Sequence, residues 1–74
     1  MTPDEAEQCI LDPDAVFLEI QTDTGEERTK SLGKTRQGRV LVVVFALRGL
    51  TIRLVTAYDA PENLQWIYFH QRPT

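Results

Sequence analysis

Apolar positions in this chain fall into six groups with three different spacings. Ala6, Cys9 and Ile10 stand at helical intervals behind Pro3-Asp4-Glu5, where Pro3 suits a first helical position. Thr2 is the expected N-cap and Glu5 its capping-box partner. This helix is predicted over residues 3–11, ended by Asp12-Pro13, because the residue before proline is pushed out of the α region. Residues 15–21 then alternate, with Val16, Leu18 and Ile20 on one face and Ala15, Phe17 and Glu19 on the other. Residues 26–32 form a more polar alternating strand, with Arg28, Lys30 and Leu32 to one side. Residues 40–47 are an almost unbroken apolar run, rich in β-branched side chains and bounded by Gly38 and Gly49. That pattern suits a strand buried on both faces. Residues 50–57 alternate again, with Leu50, Ile52 and Leu54 opposite Thr51, Arg53, Val55 and Ala57. Leu64, Ile67 and Tyr68 restore helical spacing over residues 60–70, with Asp59 as the expected cap. Residues 71–74 are expected to fray.

The pattern predicts an α+β domain: an antiparallel sheet of about four strands, in the order α-β-β-β-β-α, with the helices packed on one face. The second face of a doubly apolar strand then needs a partner, a symmetry mate or further elements. The chain has 74 residues, enough for one domain. A core of this size typically supplies no more than ~3–5 kcal/mol, which predicts help from a homodimer or another partner. One cysteine, Cys9, and one histidine, His70, do not make the usual zinc ligand sets, and no metal or cofactor is expected. A lone cysteine fits a reducing cytosol, and the apolar run 40–47 is too short to cross a bilayer, so no membrane is expected.

Charge sharpens this picture. Residues 1–27 hold nine acidic side chains and no Lys or Arg, while residues 28–53 hold seven basic ones and no Asp or Glu. Strand pairing would gather those cations in space, and a local basic field holds phosphate even on a chain of net charge −3. The other reading of the same cations is that they keep sheet edges soluble. Arg53 lies inside an otherwise apolar strand, so it either pairs with a carboxylate or emerges at a cleft or interface. Gly33-Lys34-Thr35 invites a phosphate-loop reading that fails, since the required upstream glycine falls on Arg28 and no helix pattern follows.

Taken together, Thr-Gly-Glu-Glu-Arg ending at Arg28, the segment LGKTRQGRVLVVVFALRG and the segment IRLVTAYDAPENLQWIY resemble the BrnT family of toxin–antitoxin systems. The closest elements are Glu27-Arg28, Leu32-Gly33, residues 38–44, and Ile52-Arg53 followed by Thr56-Ala57. The resemblance implies a ribonuclease toxin with a fold similar to RelE-type ribonucleases, acting without a metal ion, with RNA and an antitoxin protein as partners. It implies Arg53 and Arg28 as catalytic phosphate contacts and Tyr58 as a proton donor or stacking ring. Arg39 would be a further phosphate contact, with Lys34 and Arg36 positioning the RNA backbone. The chain is expected to be a single domain over residues 1–74 that lacks the family's usual first strand and helix. It also departs from the family in Tyr58-Asp59 and in its apolar final helix. The alternative is therefore a non-catalytic domain that dimerises or binds protein.

Overall fold

The computed structural model describes residues 3–23 and 25–70. Six elements follow in order: α1 (Pro3–Ile10), β1 (Val16–Asp23), β2 (Glu26–Lys34), β3 (Val40–Arg48), β4 (Thr51–Asp59) and α2 (Glu62–His70). The strands form one antiparallel meander, β1-β2-β3-β4, as the alternating patterns predict. The Thr2 cap and residues 71–74 lie outside the described residues. Asp59 does not cap α2. It belongs to β4 opposite Leu41, its carboxylate accepts from Arg39, and α2 starts instead from the carbonyl of Pro61.

The unbroken apolar run becomes β3, flanked on both sides and buried on both faces. Val40 and Val42 pack with Leu32, Ala60 and Tyr68, against which Val16, Leu18 and Leu64 rest. Leu41 and Val43 point the other way and pack with Cys9, next to Ile10, Phe45 and Ala57. The helices therefore take opposite faces, α2 one and α1 the other, rather than sharing one. A strand with an apolar side chain at every position has two faces to cover, and each fully buried Leu or Val contributes about 1.5–3 kcal/mol. Gly33 lets α1 settle directly on β2, since a Cβ there would lie 2.3 Å from the Cys9 carbonyl oxygen and 2.6 Å from the Cys9 Cα.

Two bulges change which side chains share a face. In β1 the register slips between Phe17 and Glu19, so Val16 and Leu18 both reach the α2 side. Ile20 is turned to the α1 side, opposite Thr29, and is exposed, rather than joining Val16 and Leu18. In β4 the partner of Val44 is Thr56 and that of Phe45 is Leu54, which leaves Val55 as the extra residue. Ala57 thereby joins Leu54 on the α1 side, and Arg53, Thr56 and Tyr58 come to share the α2 side.

Candidate functional site

The end of the α2 face that α2 does not cover carries charge. After Gly25, whose φ of 79° makes the turn out of β1, Glu26 and Arg28 lie two residues apart on β2 and so share a face. Arg48 closes β3 on that face, and the β4 bulge brings Arg53 to it. The register sets Arg28 and Arg53 on either side of Ala46, one step beyond the Thr29–Phe45 pair. Ala46 is only 1% exposed although α2 lies at the other end of the face. The apolar stems of the two flanking arginines are long enough to cover it.

Three guanidiniums converge on Glu26. Arg28 Nε is 3.4 Å from Oε1, Arg48 donates to Oε2 at 2.7 Å, and Arg53 donates to Oε1. The hydrogen bond from Arg48 leads in holding the Glu26 carboxyl below the usual range, with Arg28 and the charge of Arg53 adding to it against some burial. The four side chains carry a net charge of about +2 near neutral pH, with Arg48 66% and Arg53 47% exposed. Lys30 stands next along the same face and pairs with Glu19 at 3.8 Å.

The other candidate residues lie elsewhere. Tyr58 shares the α2 face but pairs with Val42, four positions along β3 from the Arg53 partner Ala46, or about 13 Å. Arg39 sits at the opposite end of β3, where it donates to Glu5 of α1 at 2.8 Å and to Asp59 of β4 at 2.7 Å. Those two carboxylates, Asp59 foremost, push its proton affinity up. The backbone of Lys34 donates to Asp12 at 2.8 Å and that of Arg36 to Gln8 at 3.0 Å, in a groove that also includes Asp4 and Glu7. Arg28 and Arg53 are thus brought together, and Arg39, Lys34, Arg36 and Tyr58 do not join them.

Glu26 and Arg48 escaped the sequence reading. The i, i+2 spacing of Glu26 and Arg28 was a usable signal, because Glu27, although adjacent to Arg28, faces the other side. Arg48 ends β3, and its place opposite Thr51 puts it beside Arg53. His70 stacks on Trp66 with ring centroids 4.3 Å apart and its Nδ1 lies 2.8 Å from the Trp66 carbonyl oxygen. Among the described residues, no three His, Cys, Asp or Glu side chains are grouped to hold a metal ion, and no helix is long and apolar enough to cross a membrane.

Residues 1–63, which include all four members of the arginine–glutamate cluster, match the family described as ribonuclease toxin, BrnT, of type II toxin–antitoxin systems. No curated protein matches the chain.

Proposed function

The chain belongs to the BrnT family of ribonuclease toxins of type II toxin–antitoxin systems, and on that premise we propose that it cleaves RNA without a metal ion at Arg28, Arg48 and Arg53. One observation carries this reading: guanidiniums from three strands meet around the Glu26 carboxylate, and those of Arg48 and Arg53 stay open to solvent. Cleavage of a phosphodiester by its own 2′-hydroxyl gathers negative charge on the phosphorane oxygens. Cations fixed in place before the reaction stabilise that charge without having to reorganise. Each guanidinium has five N–H donors, more than one carboxylate accepts, and Arg48 and Arg53 present theirs to solvent.

Lys30 extends the basic stripe along β2, and the exposed ring of Tyr58 offers a stacking platform for a base farther along the face. Arg39 serves the fold in this reading, since it is engaged by a carboxylate on each side. The test is cleavage of RNA by the purified chain, free of antitoxin and in the presence of a chelator. Cleavage that ends in a 2′,3′-cyclic phosphate is expected. An inactive wild-type chain overturns the reading.

A type II toxin has an antitoxin protein as partner. We assign it the α1 face, where α1 leaves Phe17, Ile20, Leu47, Ile52 and Leu54 exposed. Replacing Leu47 and Ile52 by Glu is expected to leave cleavage intact and to abolish inhibition by the antitoxin. If the same pair instead converts a dimer to a monomer in sedimentation, the face belongs to a second copy of the chain.

A further inference from the structure

Guanidiniums hold a phosphate but do not take a proton from an attacking hydroxyl, because they remain protonated in proteins. Resting on the ribonuclease reading, we propose that Glu26 is the catalytic residue that accepts the 2′-hydroxyl proton, and that the bound phosphate activates it by competing for its arginines.

The position supports this. Glu26 Oε1 faces Arg28 and Arg53, and Oε2 faces Arg48. A phosphate oxygen that shares one of these guanidiniums with the carboxylate comes within a few ångströms of it. The 2′-oxygen that attacks the same phosphorus lies about 3–3.5 Å from it in a reactive pose. Four other proton acceptors are placed less well. Glu19 pairs with Lys30, Glu27 faces the α1 side, and His70 is stacked on α2. Tyr58 is several positions along the sheet.

Before substrate binds, three cations keep Glu26 ionised but make it a weak base. A phosphodiester changes both conditions. It draws N–H donors away from the carboxylate and places a second negative charge beside it, and each change raises the proton affinity of Glu26. The base becomes stronger once there is a hydroxyl to deprotonate. In the step itself the O2′ proton passes to a Glu26 carboxylate oxygen as the O2′–P bond forms. The P–O5′ bond breaks and O5′ takes a proton from water. Glu26 then returns its proton to solvent, leaving a 2′,3′-cyclic phosphate and a 5′-hydroxyl with no net proton change.

The test compares wild type, Glu26→Gln and Glu26→Asp for single-turnover cleavage of RNA and for binding of a short 2′-O-methyl RNA that cannot react. Glu26→Gln keeps the shape and one acceptor oxygen but takes no proton. It should bind the 2′-O-methyl RNA at least as tightly as wild type, because the cluster loses the negative charge of Glu26, while cleavage falls about 100-fold or more. Glu26→Asp should recover part of the rate. The acid limb of the wild-type rate at saturating RNA should lie at higher pH than that of kcat/KM, which reports the free enzyme. Cleavage by Glu26→Gln at the wild-type rate overturns the role of Glu26 and leaves the ribonuclease reading standing. Loss of binding together with cleavage makes Glu26 an organiser of the arginines and overturns the proposal. Coincident acid limbs overturn activation by phosphate, and that measurement needs no variant to fold. An inactive wild type overturns both readings.

Discussion

Arg53 of β4 and Glu26 of β2 are hydrogen-bonded to one another although β3 runs between their strands. Two inter-strand spacings, about 9.6 Å, separate the backbones. Two long side chains bridge that gap diagonally over β3, which in the row of Arg53 offers only the methyl group of Ala46.

Ala46→Leu should therefore disturb the site from beneath. The larger side chain pushes Arg28 and Arg53 off the strand and separates their guanidiniums. RNA binding and cleavage should both fall, and the variant should lose about 1–3 kcal/mol of stability. Chemical denaturation read beside binding of the 2′-O-methyl RNA checks both effects.

Arg53 and Arg39 should separate activity from stability. Arg53→Ala removes an exposed guanidinium from the proposed phosphate site, and cleavage should drop about 100- to 1,000-fold with an intact fold. Arg39→Ala unclasps Glu5 and Asp59, and with them the first turn of α1 from the end of β4. It should lower the melting temperature while the folded fraction keeps its cleavage rate. Exchanged outcomes for the two variants would relocate the site to the other end of the hairpin.

Gly33→Ala tests how α1 meets the sheet. The added methyl would fall against the backbone of Cys9, which no side-chain rotation relieves. The helix must lift, and the variant should lose about 1–3 kcal/mol or more in urea denaturation. An unchanged midpoint would show that α1 does not rest on β2.

A latch across the end of the sheet should set the pH range of stability. The Tyr68 hydroxyl of α2 donates to Asp12, which follows α1 and also accepts from the backbone of Lys34. Burial pushes the Asp12 carboxyl up, but the bonds from Tyr68, Asp14 and Lys34 outweigh it and hold the group below its ordinary value. Its contribution is thus present above the unfolded carboxylate value of about 3.9 and is lost as pH falls through the lower folded value. Burial, and then the bond to Asp12, raise the Tyr68 phenol. Its contribution is present below about pH 10 and is lost as pH rises toward the folded value. Melting temperatures of Tyr68→Phe across pH should show a smaller loss at both ends, on a lower plateau, than those of wild type.

The elements were legible in the sequence because their periods are strong. Residues 40–47 could only be a strand buried on both sides, and Ala6, Cys9 and Ile10 mark one face of a helix. What sequence spacing misplaced depends on contacts between elements. Nothing in Val16-Phe17-Leu18 or Leu54-Val55-Thr56 marks a bulge, yet each bulge moves later side chains to the other face. Simple alternation separates Arg53 from Tyr58, and only the extra residue in β4 puts them on the same side. The candidate site was half legible for the same reason. Arg28 and Arg53 stood out as cations in strands, whereas Glu26 and Arg48 gain their meaning from the strand ends brought beside them.

Both bulges fall in the outermost strands, β1 and β4. An edge strand with a continuous ladder invites another chain to zip onto it, and an extra residue breaks the repeat that such zipping needs. Each open margin of this sheet is interrupted, so strand-to-strand growth into ribbons or fibrils is opposed at both ends. Association through the broad faces avoids that obstacle, which lets a small chain with a doubly apolar central strand stay discrete while it meets its partners.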